Sequence, residues 1–178
     1  MTFFVRLATS VLICSAFASA SYSQLLATDP DWKESEAPAP TALNLKALVP
    51  FEVVKMSNLS WALDASAVKI VGDGLVRYVA VARSASGTLN ALYEVINCSN
   101  GEVKTYARII SKEAEVAGKT WVVVADPKWI SMYDAPSKHA LALAKQGVCT
   151  GNTAAQTVNE ILVSLKKTTI VFKDKSAP

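Results

Sequence analysis

Leu75-Val76-Arg77-Tyr78-Val79-Ala80-Val81-Ala82-Arg83 is the stretch that decides the fold. It is rich in β-branched and aromatic residues, and it lies between Gly72-Asp73-Gly74 and Ser84-Ala85-Ser86-Gly87. A run of that composition between two turn signals reads as a strand. Downstream, Leu89–Cys98 and Val103–Ile110 read as two further strands, joined through Ser99-Asn100-Gly101, an Asn-Gly hairpin signal. Upstream, Val68-Lys69-Ile70-Val71 alternates, and Phe51–Met56 reads as a first strand. Trp121-Val122-Val123-Val124 is a candidate for one more. Closely spaced turns make this an antiparallel meander, and alternation within it predicts one buried face and one more polar face.

The period changes in the C-terminal third. Ser137 is placed to cap a helix through Leu141, Leu143 and Ala144 that Gly147 ends. A second helix is expected from near Thr153 to about Lys166, where Val158, Ile161, Leu162 and Leu165 share one face. Thr169–Lys173 reads as a short last strand or a tail. Strands followed by helices define an α+β fold: an antiparallel β-meander of about four to six strands with two C-terminal helices packed on one face.

The N-terminus carries a different signal. Arg6, the apolar run Leu7–Phe17 and Ala18-Ser19-Ala20 are the three parts of a secretory signal peptide, with cleavage expected after Ala20 or, alternatively, after Ser23. The run is shorter than the roughly 20 residues that span a bilayer. Cys14 sits within it behind Ile13, so lipidation there is not expected. The expected organisation is a signal peptide over 1–20, a proline-containing arm over 21–42, and a single α+β domain over 43–178. Ala37-Pro38-Ala39-Pro40 disfavours helix and favours an extended form in the arm. Trp32 is a candidate to pin the arm to the body.

Export moves the cysteines into an oxidising compartment. Cys14 leaves with the signal peptide, and Cys98 and Cys149 have one intramolecular pairing. A disulfide closing that loop stabilises a fold by roughly 4 kcal/mol in the chain-entropy model. The competing reading is a pair of free buried thiols. Without a Cys-x-x-Cys pair, thiol–disulfide catalysis is the weaker class. The chain has 18 Lys+Arg against 15 Asp+Glu, a net charge of +3, and loses Arg6 on cleavage. So balanced a charge gives no electrostatic case for nucleic acid or acidic membrane.

His139 is the only histidine, so any Ser-His-Asp or Cys-His enzyme must use it as the base. A histidine packed at the helix–sheet junction is the plainer expectation. Glu94, Glu102 and Asp73 are the carboxylates of the sheet region, and Glu94 is expected to be solvated or paired with Arg77 or Arg108. No glycine-rich phosphate loop is present, because Gly72-Asp73-Gly74 has no helix after it. One histidine and two cysteines leave little for a zinc site, and no metal or cofactor is expected. Tyr78, Arg83, Tyr93, Tyr106 and Arg108 are a candidate binding face for a peptide, a glycan or an envelope protein, with sheet packing as the alternative.

Several segments together resemble the cryptic neisserial protein family of bacterial envelope proteins. They are Asp29-Pro30-Asp31-Trp32-Lys33-Glu34, Leu48-Val49-Pro50-Phe51, Gly74–Val79, Tyr93-Glu94 with Cys98, Gly101–Arg108, Ser137–Ala142 and Gly147-Val148-Cys149. The resemblance spans roughly Asp29–Leu165 and implies a bacterial protein exported to the periplasm. Cys98 and Cys149 match its paired cysteine positions, and it implies no catalytic residues. The expected function is a periplasmic, non-enzymatic binding or cell-envelope-associated module. The alternative is a small periplasmic hydrolase using His139 or Glu94.

Overall fold

The computed structural model describes residues 32–53, 58–72, 74–116 and 118–175, with side chains described as far as Thr168. The signal peptide and both cleavage sites lie outside them, as do Met56 and Asp73. The chain divides into two units, residues 1–33 and 34–178. In the first, only Trp32 and Lys33 are described, and neither is in regular structure. The second begins within the proline arm, so residues 34–42 are packed into the body.

The unit is α+β. Its sheet contains β1 (Leu48–Phe51), β2 (Ser60–Asp64), β3 (Lys69–Ile70), β4 (Leu75–Arg83), β5 (Thr88–Asn97), β6 (Glu102–Lys112), β7 (Val122–Val123) and β8 (Ile130–Ser131). The order is β1-β2-β4-β5-β6-β7, with β3 beside β4 and β8 beside β6, and every pairing is antiparallel. The chain then forms α1 (His139–Leu143), a π turn over Ala144–Val148, the two-residue strands β9 (Cys149–Thr150) and β10 (Thr153–Ala154), and α2 (Val158–Lys175).

Both faces of the central sheet are buried, where one polar face was expected. On one side, Trp61, Leu63, Val76, Tyr78, Ala80 and Ile96 meet Ala140, Leu143, Val148, Ile161 and Leu165. A fully buried leucine such as Leu143 or Leu165 contributes about 2 kcal/mol. On the other side, Val79, Val81, Leu89, Ala91 and Tyr93 lie under Leu43, Leu45, Leu48, Val116 and Trp121. The cover comes from the arm and the loop after β6, contacts that no local periodicity encodes. β4 is accordingly buried from Leu75 to Ala82, the signature of a strand covered on both faces.

Further expectations change, beginning with the first strand, which is Leu48–Phe51 where Phe51–Met56 was expected. Ser60–Asp64 is a strand that its short Ser-Trp-Ala-Leu-Asp pattern did not announce. Ser137 does not cap α1; its hydroxyl lies 2.9 Å from His139 Nδ1. Thr169–Lys173 is neither strand nor tail but the end of α2. That helix also starts later than expected, because Thr153 is committed to the ladder with Thr150.

The Cys98–Cys149 disulfide joins the end of β5 to the residue after the π turn, with a Cα–Cα distance of 5.7 Å. Gly147 ends that turn at φ +121°. A Cβ there would lie 2.5 Å from Ser164 Cβ, so glycine serves both the backbone angle and the approach of α2.

Candidate functional site

Glu94 organises the interior on the helix side. The register of β5 on β6 shifts between Tyr93 and Glu94: Tyr93 pairs Ala107, while Glu94 pairs Thr105. The extra residue, Tyr106, is bulged out of the ladder. A bulge re-aims the side chains on either side of it. Here it leaves Thr105 with Glu94 under the helices, and Tyr106 with Tyr93 on the arm side.

The Glu94 carboxylate accepts from Tyr78 Oη at 2.9 Å and from Thr105 Oγ1 at 2.8 Å. Its Oε2 also lies 2.6 Å from His139 Nε2. β4 supplies Tyr78 directly across the ladder from Glu94. α1 supplies His139, whose ring stacks on the Trp61 indole of β2 at 4.4 Å. Glu94, His139 and Tyr78 are all buried. Burial pushes the Tyr78 phenol well above its ordinary pKa, and the neighbouring Glu94 carboxylate adds to the shift. Chemically, Ser137, His139 and Glu94 form a hydroxyl–imidazole–carboxylate relay, closed over one ring face by indole. Neither His139 nor Glu94 lines any of the three cavities described below. Glu94 meets neither Arg77 nor Arg108; its hydrogen-bond partners are the Tyr78 and Thr105 hydroxyls and the His139 imidazole.

The five candidate binding residues are distributed over the fold. Tyr93 and Tyr106 come together on the arm side, rings 5.3 Å apart, with Trp121 edge-on to Tyr93 at 6.4 Å. Tyr78 is on the opposite face, inside the helix-side core. Arg83 ends β4 and pairs with Glu113 at 2.6 Å. Arg108 is exposed, and by alternation it faces away from Ala107 and Ile109, which pack on the arm side. Burial raises the pKa of Tyr93, with Arg77 opposing the shift. Burial also raises that of Tyr106, followed by its hydrogen bond to Glu34, with Arg77 again opposing.

Arm and sheet are joined by polar contacts. Glu34 binds both Lys104 and Tyr106. The Arg77 guanidinium donates to the Ser35 carbonyl at 2.5 Å and to its hydroxyl at 2.9 Å. Trp121 Nε1 donates to the Thr41 carbonyl at 3.0 Å. Between arm and sheet lies a cavity of about 240 Å³, bordered by Pro38, Pro40, Tyr93, Tyr106, Val123 and Val124. One of about 10 Å³ lies beside Arg77 and Lys69. A third, of about 460 Å³, opens beside the disulfide near Tyr133 and Lys145. Among the described residues, no three His, Cys, Asp or Glu side chains gather to hold a metal, and no helix is long and apolar enough to cross a membrane.

Sequence reasoning placed His139 at the helix–sheet junction and singled out Glu94, but it did not join them. Trp61 and Thr105 were missed. Ser137-Lys138-His139 was a usable local signal for one contact; the bulge that sets Thr105 against Glu94 had none.

The model of the CNP1-like family matches residues 27–166. No curated protein and no solved structure matches the chain.

Proposed function

The chain belongs to the CNP1-like family, and from that premise we propose that it is an exported periplasmic protein acting as a non-enzymatic binding or cell-envelope-associated module. The state of Glu94 and His139 carries the proposal. The groups a hydrolase would use are spent on one another and on Tyr78, Thr105 and Ser137, beneath an indole. Apolar side chains are offered to solvent elsewhere: Ile110, Val122, Val123, Ile130 and Tyr133 are exposed on or near β6, β7 and β8. Arg6, Leu7–Phe17 and Ala18-Ser19-Ala20 support export, as does a disulfide, which persists in oxidising compartments. The neisserial kinship implied by the sequence belongs to the same proposal.

Native mass spectrometry of protein from a periplasmic fraction tests it. The expected result is a chain cut after Ala20 or Ser23, oxidised at Cys98 and Cys149, with a retained passenger. An uncut chain found only in the cytosol overturns export. The in-line Ser137–His139–Glu94 contacts favour a second reading, a small hydrolase using His139 or Glu94. That reading expects ester or amide turnover by the wild type and none by a folded His139→Gln variant.

A further inference from the structure

We propose that the Tyr93–Tyr106–Trp121 face is a recognition groove for acidic, proline-containing extended peptides, and that residues 34–41 of the chain itself occupy it in the free protein. The proposal rests on the binding-module reading and names its partner class.

Three features of the groove suit such a peptide. Tyr93, Tyr106 and Trp121 form an aromatic cradle, and Trp121 points its indole N–H at a backbone carbonyl just past Ala37-Pro38-Ala39-Pro40. Aromatic grooves take proline-rich segments because these are already extended and lose little entropy on binding. Proline also lacks the N–H that a strand ladder would need, so recognition falls to ring faces and carbonyl contacts. At the other end of the groove stand two basic groups, Lys104 and Arg77, answered unequally by the strap. Glu34 pairs with Lys104. Arg77 is buried, donates to the neutral carbonyl and hydroxyl of Ser35, bonds the Tyr106 hydroxyl, and has no partner at Nε. No carboxylate pairs with it among the described residues. A buried guanidinium favours a carboxylate, bound in bidentate fashion. A peptide with an acidic residue where the strap has Ser35 therefore fits this end better than the strap does.

The strap is also built to leave. Ser35, Glu36, Pro38, Ala39 and Thr41 are exposed, and residues 34–44 form no ladder with the sheet. Its hold comes from Glu34, Ser35, Thr41 and partial packing of Ala37 and Pro40 over a cavity of about 240 Å³ that it leaves unfilled. Segments with few buried contacts open at low cost. As a tethered ligand, the strap competes at an effective concentration in the millimolar range. A free peptide must exceed that, so loosening the strap raises the apparent affinity of the groove.

The test uses the full, oxidised chain and a fluorescein-labelled peptide of the sequence Glu34–Ala42 carrying Ser35→Asp. Anisotropy is read with wild type, Glu34→Ala, and Glu34→Ala combined with Tyr93→Ala. Glu34→Ala is expected to bind about tenfold or more tightly than wild type, the least that loss of its charged hydrogen bonds to Lys104 and Tyr106 takes from the competitor. Adding Tyr93→Ala should abolish binding. The Trp121 indole N–H resonance of wild type, which needs no variant to fold, should shift as unlabelled peptide is added. No anisotropy change with Glu34→Ala at millimolar peptide, together with an unmoved Trp121 resonance, overturns the proposal. So does binding indifferent to Tyr93→Ala. A dimer of Glu34→Ala that excludes the peptide would give the groove to the strap of a second copy and also overturn it. If wild type and Tyr93→Ala retain the same passenger in native mass spectra while neither binds the peptide, the groove falls and the binding-module reading stands. Loss of peptide and passenger alike removes both.

Discussion

The imidazole of His139 lies 2° from parallel to the indole of Trp61, their centroids 4.4 Å apart. One ring begins α1 and the other sits on β2, so the stack joins the helical layer to the sheet. Its position is fixed from the ring edge, where Nε2 meets Glu94 and Nδ1 meets Ser137. Every polar atom of the imidazole thus has a partner inside the fold. A buried network of this kind specifies one packing arrangement, because each member is costly to leave unpaired.

Glu94→Ala is therefore expected to destabilise the fold strongly. It orphans the Tyr78 hydroxyl and the His139 Nε2 in the interior and leaves Thr105 without its acceptor. An unsatisfied buried group costs about 1–3 kcal/mol, so a loss of about 4 kcal/mol is expected in urea unfolding. Tyr78→Phe removes a single donor and should cost about 1 kcal/mol. Equal effects of the two substitutions would show that Glu94 is not the hub.

Alkaline pH should unfold the protein through its tyrosines. Tyr78, Tyr93 and Tyr106 all have pKa values raised above 10.0, chiefly by burial. With the folded value above the unfolded one, stability is whole below about pH 10. It is lost as pH rises beyond that, because the unfolded chain releases its protons first. Tyr78, fully buried, contributes a slope of at most about 1.4 kcal/mol per pH unit. Urea midpoints measured at rising pH should fall above pH 10, and tyrosinate absorbance from Tyr78 should appear only with unfolding. Tyr78→Phe should flatten the fall.

Much of the sheet was legible because its signals are local. Ser84–Gly87 and Asn100-Gly101 are turns in sequence and in structure, and the strands between them keep their expected places within a residue or two. Cys98 and Cys149, the pair expected to bond from the sequence, are bonded. The missed features depend on distant partners. Burial of the second face requires Leu43, Leu45 and Trp121 to come across the sheet. The meeting of Glu94 with His139 requires the Tyr106 bulge and the placement of α1. Thr169-Ile170-Val171, at the start of the supposed last strand, misled because β-branched residues favour strands on average. Here they extend a helix already nucleated by the buried face of Ile161 and Leu165.

Removal of the disulfide should cost about 4 kcal/mol, through the freedom that the unfolded chain regains across the 51-residue separation. Cys98 is buried in the helix-side core while Cys149 is half-buried. Cys98→Ser adds a polar group to that core and should lose slightly more than Cys149→Ser. Thermal unfolding of both variants measures this; an unchanged melting temperature would mean that the bond does not stabilise the fold.

Gly147→Ala tests how α2 is held. The residue sits at φ +121°, where a β-carbon is strained whatever the space around it, and that carbon would lie 2.5 Å from Ser164 Cβ. Two costs then act together: about 1–3 kcal/mol for the backbone conformation, and a similar overpacking cost as the helix is pushed from the turn. Pairing with Ser164→Gly separates them. That substitution removes the clashing atoms but leaves the backbone strain, while giving up helix propensity of about 1 kcal/mol. The double variant should therefore be more stable than the two single losses predict, by the size of the clash. Strict additivity in urea unfolding would show that the backbone angle alone requires glycine, and that α2 can yield at Ser164 without cost.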